Sequence, residues 1–137
     1  MKKIRAIRYF EKSIEIYKEI GLDFAVKWMR QKVDFISILR GKKIDFIQDD
    51  HNIALKYILN GQKEIGLKII DKLDPTPETL YMKGIATDDS KYLWESLEGY
   101  MKHGDRLYGL YTIQELKRLG AESEQISMKE KPVMDSL

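Results

Sequence analysis

The chain has 137 residues, 43% of them hydrophobic and 34% charged, with a net charge of +2 and no cysteine. That length makes one domain with a core large enough to need no staples, and the lack of cysteine excludes a disulfide framework, a cysteine-based zinc site and a thiol nucleophile. No apolar run approaches the ~20 residues that a membrane-spanning helix needs, so the expectation is a cytoplasmic protein without a membrane partner.

Charge is unevenly spread. Residues 1–48 hold twelve Lys or Arg and six Asp or Glu, a balance of +6 that leaves −4 for the remainder. The front half could therefore attract an acidic partner.

Ile7, Phe10, Ile14 and Tyr17 alternate three- and four-residue steps, with Ile4 and Ile20 extending the stripe, which predicts an amphipathic first helix. Gly21 stands where a C-terminal cap belongs, and Asp23 is read as N-cap of a second helix, DFAVKWMRQKVDFISILRG. Its apolar residues Phe24, Trp28, Met29, Val33, Phe35, Ile36 and Leu39 cover more than one face, as in a helix sandwiched between neighbours. Beyond Gly41, Asp49 or Asp50 is expected to cap a helix ending near Asn60 and Gly61, and QKEIGLKIIDKL forms the next. Pro75 cannot continue it, while Thr76 as N-cap and Pro77 at the first helical position start another. Helices over 77–86, 90–102 and 106–119 follow, and the polar, aperiodic residues 121–137 are expected to be a flexible tail. Connections of about two to six residues favour antiparallel hairpins. The expected fold is all-α, a single domain over residues 1–120 in which six to seven helices stack as a short tetratricopeptide-like repeat.

A tetratricopeptide unit is a helix pair with W-x2-L-G-x2-Y in the first helix and A-x3-F in the second, the small residues marking close approach. Leu80, Gly84, Ser96 and Tyr100 take the first apolar, glycine, small and aromatic positions, with Leu97 and Glu98 behind the small one. Gly84 and Ser96 are thus read as helix-crossing contacts. Ile53, Ala54, Tyr57, Gly61, Gly66 and Ile70 fit the same template thirty residues earlier, which makes Gly66 a third packing position. At the front, Ser13 and Tyr17 match only the second helix of a unit, so the chain is expected to begin in mid-repeat. Stacked repeats need capped ends, and an uncovered apolar end predicts self-association as a homodimer.

From about residue 53 to Gly120, the order IIDKLD, ETLYMKG, WESLEGYMKHGDRL and IQELKRLG resembles the C-terminal repeats of the arbitrium-type peptide receptors of Bacillus phages. These belong to the wider tetratricopeptide quorum-sensing regulators that include the Rap and PlcR types. The resemblance implies a cytosolic, all-helical, commonly dimeric regulator that binds a short peptide in its concave groove. Arbitrium receptors also carry an N-terminal helix-turn-helix for DNA, whereas residues 1–20 here read as a repeat helix. DNA binding is therefore not carried over.

Under the repeat registers, the inward positions of the first helices are His51 and Leu55 in one unit and Tyr81, Ile85 and Asp88 in the next. Lys27, Arg30 and Asp34 on the second helix of the chain join them as candidate contacts for a peptide or a partner protein. Core packing is the competing reading for Leu55, Tyr81 and Ile85.

Only His51 and His103 could serve as imidazole bases or ligands, and they fall in different units. The run DDHN at 49–52 is read as a cap or turn, because adjacent helical positions point apart, and Asp88 and Asp89 as caps of the helix bearing Tyr92 and Trp94. Phosphate-loop, nucleophile-elbow and zincin motifs are missing, so no catalytic residue, metal or cofactor is expected. Arg5, Arg8 and Lys12 form a basic ridge beside Glu11, Glu15 and Glu19, read as a solvated mixed face. The alternatives to a noncatalytic binding module are a nucleic-acid accessory protein using that ridge and a small enzyme with dispersed acids.

Overall fold

The computed structural model describes residues 2–44, 47, 49–121, 126 and 128, with side chains from Ile7 onward. Among these residues there are seven helices and no strand: α1 (Lys2–Glu19), α2 (Asp23–Leu39), α3 (Asp50–Leu59), α4 (Lys63–Ile70), α5 (Pro77–Thr87), α6 (Ser90–His103) and α7 (Arg106–Arg118). None is long and apolar enough to cross a membrane.

Local chemistry accounts for most of the boundaries. Gly21 and Gly61 take φ of +74° and +86° just beyond α1 and α3, a left-handed conformation that a Cβ would strain. Thr76 caps α5: its hydroxyl accepts from Thr79 N at 3.2 Å, while Thr79 Oγ1 accepts from Thr76 N at 2.8 Å, and Pro77 fills the first turn. Asp49, rather than Asp50, caps α3 by accepting from Asn52 N. Two cap assignments change. Asp23 is the first residue of α2, behind a Leu22 cap that makes no side-chain hydrogen bond, and its carboxylate still favours the positive end of the helix. Asp89 caps α6, whereas Asp88 closes α5 in the left-handed region at φ +52°.

Packing is hairpin by hairpin: α1 on α2, α3 on α4, α5 on α6, with α7 against α6. The hairpins stack through α2 on α3, α3 on α5 and α4 on α5. This is a short all-α repeat of antiparallel hairpins. Within it α1 pairs with the helix that follows, as the first member of a hairpin, instead of the second helix that Ser13 and Tyr17 indicate.

Leu55, Met82, Leu93, Leu97, Tyr100, Ile113 and Leu116 are fully buried between the hairpins. At the α5–α6 crossing, a Cβ built on Gly84 would lie 2.5 Å from Leu93 Cγ, and the buried Ser96 hydroxyl donates to Pro77 O at 2.7 Å. At the α3–α4 crossing, a Cβ on Gly66 would lie 2.5 Å from Ile58 Cγ1 and 2.9 Å from Ala54 O. Helices this close allow no side chain between them. Of the residues assigned to the tail, Ala121, Ile126 and Met128 are described: Ile126 is buried in the core and Met128 is exposed. The rest of the tail lies outside the described residues.

Candidate functional site

α2 is the spine of the site. Trp28, Gln31, Lys32 and Phe35 recur at helical spacing along one side of it, and the start of α3 adds Asp49, His51 and Asn52. Thr76 and Glu78 from the start of α5 and Tyr108 from α7 complete a half-open cavity of about 180 Å³.

Lys32 is buried, and its ammonium sits 4.4 Å from the ring centroids of both Trp28 and Tyr108 and 3.4 Å from Asp105 Oδ1. Two aromatic faces and a carboxylate replace part of the hydration that an ammonium loses on burial. One turn on, the Phe35 ring lies 4.9 Å from Tyr108 and 5.9 Å from Tyr81, and Tyr108 meets Tyr100 edge-on at 5.4 Å. This aromatic seam ties the first hairpin to α5 and α7. Burial pushes the Tyr81, Tyr100 and Tyr108 hydroxyls up in pKa, so they remain protonated.

His51 Nδ1 lies 3.5 Å from Asp49 Oδ1, and the hydrogen bond to that carboxylate raises the imidazole pKa against an opposing effect of burial. Because the folded value is raised above the ordinary 6.5, the stabilisation is fully present below that pH and is lost as pH rises through the folded value. A proton NMR titration of the His51 ring should therefore give a midpoint above 6.5, moving down in Asp49→Asn. A midpoint that does not move would show that the pair does not form.

A wider groove of about 610 Å³ adjoins the cavity, sharing Gln31 and Asp49 with it. Lys27, Arg30 and Asp34 line it, and burial raises the Asp34 carboxyl pKa while Arg30 opposes the shift. The structure thus places four of the candidate residues, His51, Lys27, Arg30 and Asp34, in one continuous trough along α2. Leu55, Tyr81 and Ile85 are buried in the core, Tyr81 beneath Phe35. Asp88 stands apart, accepting from Arg118 Nη2 at 3.0 Å, and that guanidinium holds its carboxyl below the usual range. Arg8 and Lys12 are exposed on α1, and the Arg5 side chain lies outside the described residues. Among the described residues, no three His, Asp or Glu side chains converge to hold a metal ion.

Trp28, Lys32, Asn52, Glu78 and Tyr108 escape the sequence reading. Trp28 stands there only as an apolar residue of the second helix and Asn52 only within the DDHN run, while Lys32 could have been found as a charge set between the apolar residues Trp28 and Phe35.

A family model described as AimR transcriptional regulator-like matches residues 4–118. The chain belongs to that family. Comparison with curated proteins and with solved structures found no match. The AimR-like match covers the α1–α2 hairpin as well as the repeats from residue 53 onward, so the trough along α2 lies wholly within the family region.

Proposed function

We propose that this AimR-like chain is a noncatalytic regulatory module that senses a short extended peptide in the trough along α2. Asn52 carries the reading. Its Nδ2 donates to Gln31 O at 3.1 Å, while its buried Oδ1 meets no donor among the described residues. A buried acceptor without a donor costs roughly 1–3 kcal/mol, and a backbone N–H of an extended peptide would remove that cost. The surroundings suit such a ligand: the half-exposed Trp28 ring offers apolar contact, Lys27 and Arg30 meet carboxylates, and Asp49 and Glu78 meet cationic groups. Leu55, Tyr81 and Ile85 serve this site from beneath, as the packing that holds α3 and α5 in place. A ligand bridging α2, α3 and the start of α5 would favour one arrangement of the stacked hairpins, which is how binding becomes regulation.

The test is native mass spectrometry of tagged chain recovered gently from its own cells. The expected result is protein carrying the mass of a short peptide, and loss of that mass in Asn52→Ala with the helical circular dichroism retained. Bare protein, or an Asn52→Ala variant that keeps the same peptide, would overturn the reading.

A further inference from the structure

α1 has a second apolar stripe that the rest of the chain does not use. Tyr9 and Ile16 on α1 and Ile20 in the turn just after it are 66%, 57% and 61% exposed, so Ile20 faces away from the inward stripe that the sequence assigned it to, on which Ile7 and Ile14 are buried against the fold. With Ser13, the outward residues follow one another at steps of four, three and four, the spacing that keeps side chains on one narrow helical face.

That spacing reads the same in both directions. A two-fold axis passing between positions 14 and 15 would bring Tyr9 opposite Ile20 of a second copy and Ser13 opposite Ile16 of that copy, with the same two layers repeated by symmetry. The charges beside the stripe obey the same rule. Along one flank, Arg8 and Lys12 precede Glu15 and Glu19, and all four are exposed. When two such helices lie antiparallel, each flank meets its own counterpart, so the basic front half of one helix faces the acidic rear half of the other. Lys12 then stands beside Glu19 of the second copy, twice per dimer. A parallel pair would set this flank against the edge bearing Phe10 and Tyr17, where it finds no opposite charge.

From this self-complementarity we infer that the outward face of α1 is a homodimer interface, closed by α1 of a second copy running antiparallel. The inference is independent of the peptide reading. One helix face is a small contact area, so the dimer forms weakly and its population rises with concentration.

Sedimentation of the full chain over a concentration series tests it. The wild type is expected to move from monomer towards dimer below ~0.3 mM, and Ile16→Lys to stay monomeric with an unchanged melting curve, since Ile16 touches little of its own fold. Lys12→Glu and Glu19→Lys should each weaken dimerisation several-fold by opposing like charges. The double variant carrying both should recover it, because the exchange restores opposite signs across the two-fold axis. Wild type that stays monomeric throughout, Ile16→Lys that still dimerises, or a double variant no stronger than either single one would each overturn the interface.

Discussion

Gly84→Leu is expected to lower the stability of the chain by roughly 2–3 kcal/mol, towards the upper end of what overpacking usually does. A Cβ alone would already lie 2.5 Å from Leu93 Cγ, 2.6 Å from Leu93 Cδ2 and 3.3 Å from the Leu93 backbone nitrogen. Leu93 is fully buried, so its side chain cannot swing into solvent to make room. The strain must instead be relieved by parting α5 from α6, which stretches the 2.7 Å hydrogen bond from Ser96 to Pro77 O at the same crossing. Gly84→Ala should cost less, because the better helix propensity of alanine, worth about 1 kcal/mol, offsets part of the clash. Denaturant midpoints should then rank wild type above alanine and alanine above leucine. A leucine variant that unfolds at the wild-type midpoint would mean that the two helices do not cross closely there.

Phe35→Ala should be costlier still, about 3–5 kcal/mol, the usual range for a buried phenylalanine. Phe35 is 4% exposed, and its ring joins α2 to Tyr81 on α5 and Tyr108 on α7. Removing it leaves a cavity and also unties the first hairpin from the other end of the stack. Phe24 on the same helix is 76% exposed and provides the comparison, since Phe24→Ala is expected to stay within ~0.5 kcal/mol. Hydrogen exchange adds a spatial check: protection in α1 and α2 should fall more than protection in α5 and α6, because the lost contacts are those holding the first hairpin in place. Equal effects of the two substitutions would mean that α2 is not held against α7.

The all-α repeat and most of its helix ends were determined by the sequence alone. A helix end depends on residues within a turn of one another, so Gly21, Gly61 and the Thr76–Pro77 pair mark boundaries without reference to the rest of the chain. Family membership was legible for the same reason, since the short ordered motifs from residue 53 onward lie within the region that matches the AimR-like family. The composition of the trough was decided by tertiary structure. Lys32 reads as an interrupted apolar stripe until stacking brings Asp105, 73 positions away, to its ammonium. Asn52 reads as a first-turn polar residue until α3 docks on α2 and Gln31 O takes its amide. The helical period states which side of α2 carries Trp28, Lys32 and Phe35, but what that side meets depends on how the hairpins stack, and only the stacking brings Tyr108 on α7 against it. Such contacts between distant segments follow from the sum of all the helix crossings, which no local pattern encodes.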